Sequence, residues 1–121
     1  LDQLIKISQN NFNLVYDWIK KNNWIEFLAN TLDDKYLSNT SITFKIVSDW
    51  FVNKDENTQR SIVKEMCKLL AENNVAFDIN GYAKAPPSFR IWGGGTVEND
   101  DIKKLLPWLE WVYLLMKDKY A

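Results

Sequence analysis

The chain has 121 residues, 46% of them hydrophobic and 26% charged, with a net charge of −1 at neutral pH. That composition suits one folded domain with its own core rather than a disordered or membrane-spanning chain, and the lack of a global basic field argues against a dedicated nucleic-acid binder, leaving room only for a local patch. Histidine is absent and Cys67 is the single cysteine, which removes Ser-His-Asp and Cys-His catalysis, histidine-ligated zinc and internal disulfides from its repertoire.

Taken in chain order, Leu1, Leu4, Ile5, Phe12, Val15, Tyr16 and Ile19 recur at helical spacing and give way to the polar run Lys20 to Asn23. This predicts a first helix that is already under way at Leu1, and a chain opening mid-pattern without a methionine reads as a piece of something longer. With no basic leader region and no apolar run near ~18 residues, neither a signal peptide nor a membrane span is expected, and the setting is taken to be cytoplasmic. Residues 24–29, WIEFLA, are apolar but too few to choose between helix and strand, and NTLDDKYLSN has the composition of a loop. Residues 40–47, TSITFKIV, alternate Ile42, Phe44 and Ile46 with Thr43, Lys45 and Val47, the pattern of a half-buried strand.

The polar stretch 53–59 predicts a turn, and Ile62, Val63, Met66, Cys67, Leu69 and Leu70 then trace the apolar stripe of a second helix ending at ENN. Cys67 belongs to that stripe and is expected to be a buried small hydrophobe, as befits a reducing compartment. Residues 75–79 read as a short strand, 80–87 as a loop and 88–92, SFRIW, as a further strand. The glycines at 93–95 break the chain, Thr96 is a candidate N-cap, and Glu98, Asp100 and Asp101 favour the positive end of a helix dipole. Ile102, Leu105, Leu106, Leu109, Val112, Tyr113 and Met116 form the apolar face of a last helix. Pro107 within it predicts a kink, or a main helix that begins near the proline. The expected fold is a small α/β two-layer sandwich over residues 1–121: a mainly antiparallel sheet of three to four strands packed on amphipathic helices.

Chemistry is sparse. Of the 15 basic residues only Arg60 and Arg90 are arginines. Alternation along SFRIW sets Phe89 and Ile91 toward a core and Ser88, Arg90 and Trp92 the other way, so Arg90 offers a planar donor fork for a carboxylate or phosphate, or forms a structural ion pair. The triple glycine matches no phosphate-cradling signature and reads as a turn. Asp33 with Asp34, Asp55 with Glu56, and Asp100 with Asp101 sit where solvation and capping account for them, and no metal site is expected. Of the six tryptophans, Trp18, Trp24, Trp108 and Trp111 are expected in the core or an interface, and the adjacent Trp50 and Phe51 are expected to meet another domain or subunit.

The stretch YAKAPPSFRIWGGGTVENDDIKKLLPWLEW resembles the C-terminal end of phosphoserine aminotransferases, above all the alpha-proteobacterial type, which close with Y-x-x-APP-x-x-RIW-x-G-x-TVE and, further on, PWLDW. NFNLVYDWIKKNNWIEFLA and SNTSITFKIV are similar to the family's preceding helix, short segment and strand. The resemblance implies the C-terminal small domain of a fold-type-I enzyme that uses pyridoxal phosphate to exchange an amino group between glutamate and 3-phosphohydroxypyruvate in serine biosynthesis. It implies a homodimeric full-length protein whose N-terminal large domain carries the cofactor lysine, with no cofactor-binding or catalytic residue in these 121 residues and no activity for them alone. Arg90 falls on the family arginine that grips the substrate α-carboxylate, and Lys84 lies near the basic residue that helps hold the substrate phosphate. Four positions depart from the pattern: Ala83 stands where alpha-proteobacterial relatives have that basic residue, and Ser88, Phe89 and Gly93 replace a usual glycine, leucine and cysteine. Two alternatives stand beside this reading: a related transaminase for another small 2-oxo acid, and a free-standing α/β module that binds an acidic ligand or protein.

Overall fold

The computed structural model describes residues 2–28, 41–75, 79–81, 86–92 and 99–121. Its elements are α1 (Asp2–Lys21), β1 (Ile25–Phe27), β2 (Ser41–Ile46), α2 (Asp49–Val52), α3 (Glu56–Glu72), β3 (Phe89–Trp92) and α4 (Asn99–Tyr120). The expected loop at 30–39, most of the expected strand at 75–79, the triple glycine, Thr96 and Glu98 lie outside the described residues, as do Leu1 and the side chains of Leu4, Ile5 and Trp92.

The three strands form one antiparallel sheet in the order β1-β2-β3. Its register sets Ile25 opposite Ile46 and Phe27 opposite Phe44 on one side of β2, and Ile42 opposite Ile91 and Phe44 opposite Phe89 on the other. Because side chains alternate along each strand, these residues share one face, and all of them are buried. Phe44 and Phe89, both fully buried, stack with ring centroids 5.4 Å apart. Each such ring withdrawn from water contributes about 1.5–3 kcal/mol. Beyond β3 the chain comes back alongside it: Asn80 bridges Phe89, the Arg90 amide donates to the Ile79 carbonyl at 2.8 Å, and the Gly81 amide donates to the Ser88 carbonyl at 3.0 Å. The expectation of an antiparallel sheet under amphipathic helices is borne out, with three strands and this bridge among the described residues.

The helices supply the second layer. α1 buries Asn11, Val15, Trp18 and Ile19, and α3 buries Ile62, Val63, Met66 and Leu70, each at the three- and four-residue spacing of one helix face. α3 begins where its backbone first finds a cap: the Asp55 carboxylate accepts from the Thr58 amide at 3.2 Å and the Thr58 hydroxyl at 2.5 Å. It ends in a Schellman turn. Asn74 takes a left-handed φ of 56°, its amide donates to the Ala71 carbonyl at 3.0 Å, and the Val75 amide donates to the Leu70 carbonyl at 2.9 Å.

α4 lays Ile102, Leu105, Leu106, Leu109, Val112, Tyr113 and Met116 into the core and packs against α1 and α3. Asp100 and Asp101 occupy its first turn and Lys117 and Lys119 its last, each complementing the dipole. The helix runs through Pro107 as one element, so a main helix beginning at the proline is not what forms. Pro107 is exposed, which keeps the backbone carbonyl that loses its donor one turn earlier on the wet side of the helix.

The expected outward role of Trp50 and Phe51 is corrected. Residues 49–52 form a short helix, Phe51 is 2% exposed, and the half-buried Trp50 donates its indole N–H to the Tyr113 hydroxyl at 3.1 Å. Both side chains pack into the chain's own core, with Trp50 turned to Tyr113 of α4 and Phe51 edge-on to Trp50.

Candidate functional site

The face of the sheet opposite the apolar one carries Glu26 from β1, Thr43 and Lys45 from β2 and Arg90 from β3, all half-buried or exposed. Strand alternation puts them there: each sits between two buried neighbours, as Arg90 does between Phe89 and Ile91. The register pairs Glu26 with Lys45 and Thr43 with Arg90. Arg90 spends its backbone amide on Ile79, away from β2, and the Thr43 carbonyl accepts from Leu28 on the β1 side at 3.2 Å. Thr43 and Arg90 therefore form a non-hydrogen-bonded pair, the narrow type in which Cα atoms stand about 4.5 Å apart and side chains are closest. The guanidinium thus rises from a strand fixed on both edges, beside a hydroxyl-bearing residue and diagonal to a lysine. Such a surface suits an anion with planar oxygens.

The approach to this strand is tightly packed. Ser88 is 2% exposed and its hydroxyl has no hydrogen-bond partner among the described residues. A Cβ placed on Gly81 would overlap that hydroxyl and would stand 3.0 Å from the Ser88 carbonyl oxygen. Gly81 is required here because two backbone segments touch.

Lys84, the second expected site residue, lies outside the described residues together with Ala83, so Arg90 alone of the expected pair has a described place. Cys67 is half-buried against the core, and burial pushes its thiol up to about 12, the opposite of a reactive thiolate. Among the described residues no group of three or more His, Cys, Asp or Glu side chains is placed to hold a metal. Asp55 caps α3, and its carboxyl is held below its ordinary value by the Thr58 hydroxyl and amide.

Periodicity alone missed an aromatic network that ties the helices to the sheet. Trp24 stacks on Tyr113 with ring centroids 3.9 Å apart and planes 12° from parallel, and meets Trp18 edge-on. The Tyr113 hydroxyl pairs with the Ser48 hydroxyl at 2.5 Å and accepts from Trp50. Trp18 donates to Glu110 at 2.8 Å, joining α1 to α4. These tryptophans are structural, and the clue was the choice of Trp, whose N–H needs a buried partner, where an aliphatic residue would fill the same space.

A small α/β domain with its helices on one face of a three-stranded antiparallel sheet and Arg90 on the polar face is the class the fold defines. Comparison with known proteins supplies the particular relation. No family model matches the chain. Over 117 residues, 97% of the chain, it is 38% identical to the phosphoserine aminotransferase of Methanosarcina mazei and equally to that of Methanosarcina barkeri. The chain is thus related in sequence to phosphoserine aminotransferases along nearly its whole length, as its motifs implied, and it spans 28% of the length of these relatives.

Proposed function

We propose that this chain is the C-terminal small domain of a phosphoserine transaminase and that Arg90 grips the α-carboxylate of its substrates. The observation that carries the reading is the place of Arg90: inside the RIW motif of a chain 38% identical to two phosphoserine aminotransferases, on the polar face of a strand anchored at both edges. The reaction is amino exchange between glutamate and 3-phosphohydroxypyruvate, and both amino-acid substrates present an α-carboxylate to the same fork. Lys84, just upstream of the strand, is the candidate for the substrate phosphate.

The enzyme is proposed to use pyridoxal phosphate, which supplies the electron sink for moving the amino group. Glu26, Thr43, Lys45 and Arg90 on one sheet face do not by themselves make a seat for it. The lysine that bonds the cofactor is assigned to a large domain absent from these residues, and the 121-residue chain alone is inactive. The full protein is proposed to be a cytoplasmic homodimer in which this domain closes on that large domain.

The test is to express the complete reading frame that contains Leu1–Ala121, read its visible absorption, and assay glutamate-dependent amination of 3-phosphohydroxypyruvate. A yellow protein with that activity is expected, together with a colourless and inactive 121-residue chain. A colourless full-length product without turnover, or transamination by the short chain supplied with pyridoxal phosphate, would overturn the assignment.

A further inference from the structure

Arg90 lies in a row across the sheet whose other members are Leu28, Thr43 and Ile79. Thr43 stands opposite Arg90, and one step beyond the pairing of Phe27 with Phe44 the Leu28 amide donates to the Thr43 carbonyl at 3.2 Å. On the far side of β3 the bridge between Asn80 and Phe89 sets Ile79 against Arg90. Residues opposite one another on neighbouring strands share a face and touch. The side chains of Leu28 and Ile79 hold no acceptor for a guanidinium, whereas the Thr43 hydroxyl oxygen has two lone pairs.

The two flanks of Arg90 also differ in width. The Arg90 amide donates to the Ile79 carbonyl at 2.8 Å, which marks that pair as the wide, hydrogen-bonded type with Cα atoms about 5.5 Å apart. The pair with Thr43 is the narrow type, at about 4.5 Å, so the hydroxyl occupies the closer flank. Thr43 and Arg90 are both half-buried, and a hydrogen bond between them is stronger there than in open water. A guanidinium carries five N–H donors and a carboxylate held by the fork takes two. An acceptor fixed on the next strand takes a third, which restrains the long arginine side chain and aims its remaining edge.

We propose that Thr43 is a positioning residue for the carboxylate grip. Its Oγ accepts a hydrogen bond from the Arg90 guanidinium and sets the plane in which the fork meets the substrate α-carboxylate. The inference rests on the transaminase reading of Arg90 and adds to it the residue that orients the fork.

Steady-state kinetics of the full-length protein test it with two substitutions. Thr43→Val keeps the β-branched shape that suits a strand and removes the hydroxyl, and Thr43→Ser keeps the hydroxyl. Thr43→Val is expected to lower kcat/KM for glutamate about tenfold or more, the weight of one hydrogen bond to a charged group. Thr43→Ser should stay within about threefold of the wild type, because the hydrogen bond survives. In an Arg90→Gln background Thr43→Val should cost no more than about twofold, since the hydroxyl acts only through the guanidinium. A full-length protein without turnover, or one indifferent to Arg90→Gln, would overturn the reading of Arg90 and this inference with it. If Arg90→Gln is crippling while Thr43→Val is harmless, the role of Thr43 alone falls. It falls likewise if Thr43→Val costs the same with and without the Arg90 charge, or if Thr43→Ser is as damaging as Thr43→Val.

Discussion

Removing the Ser88 hydroxyl should make this domain more stable. Ser88 is 2% exposed, its Oγ has no hydrogen-bond partner among the described residues, and it faces Gly81 across a contact so close that a Cβ on Gly81 would overlap it. An unpaired buried hydroxyl costs about 1–3 kcal/mol, and the void left by deleting one oxygen offsets part of the gain. Ser88→Ala is therefore expected to raise the unfolding free energy by about 0.5–2 kcal/mol, or Tm by roughly 2–8 °C for a domain of this size. Gly81→Ala should do the reverse, costing about 1–3 kcal/mol through overpacking. In the double variant the clash with the hydroxyl disappears but the Ser88 carbonyl oxygen, 3.0 Å from the new Cβ, remains. The combined loss should then fall short of the sum of the two single effects by about 1 kcal/mol. Urea titrations of the four chains, read as midpoints at constant slope, give the whole cycle. If Ser88→Ala destabilised the domain by 1 kcal/mol or more, or if the two changes were additive, the hydroxyl would have a partner and the pinch between residues 81 and 88 would be the wrong account.

Tyr113→Phe strips the acceptor from Trp50 and the partner from Ser48 while leaving the stack on Trp24 intact; a loss of about 1–3 kcal/mol in urea denaturation is expected. The Glu65 carboxyl is held below its ordinary 4.5, first by the hydrogen bond from Lys119 and then by that from Tyr120. A depressed folded pKa contributes stability that is present above the unfolded value and is lost as pH falls through the folded one. Lys119→Met should accordingly flatten the acid limb of the stability curve below about pH 4.5, and an unchanged limb in pH-dependent melting would count against the bridge. Cys67, with its thiol pushed up to about 12 by burial, should react with a disulfide reagent at pH 8 far more slowly in the folded chain than in urea, and equal rates would contradict its packing.

Much of the fold was legible because its periods are clean. Residues 41–46 of TSITFKIV became β2, and the stripes of α3 and α4 name their buried faces, whereas α1 buries Asn11 and Trp18 beside Val15 and Ile19 of its stripe. What local pattern could not carry was partnership at a distance. WIEFLA was undecidable at six residues, and three of them became β1 only because β2 offered Ile46, Lys45 and Phe44 as partners. Trp50 and Phe51 looked outward because their neighbours in sequence are polar; the group that draws Trp50 inward is the hydroxyl of Tyr113, 63 residues on. At the site, alternation placed Arg90 away from the core. Its narrow pairing with Thr43 needed the observed register and the hydrogen bond to Ile79.

The central claim is that Arg90 is the carboxylate grip of a transaminase, and steady-state kinetics of Arg90→Gln in the full-length protein test it most directly. A lost charge-assisted fork costs about 2–4 kcal/mol, so kcat/KM should fall roughly 30- to 700-fold. On that claim glutamate and phosphoserine place their α-carboxylates on the same guanidinium, so the fall should be similar for both, and visible absorption from the proposed pyridoxal phosphate should be unchanged. Retention of wild-type kcat/KM toward both amino acids would contradict the account.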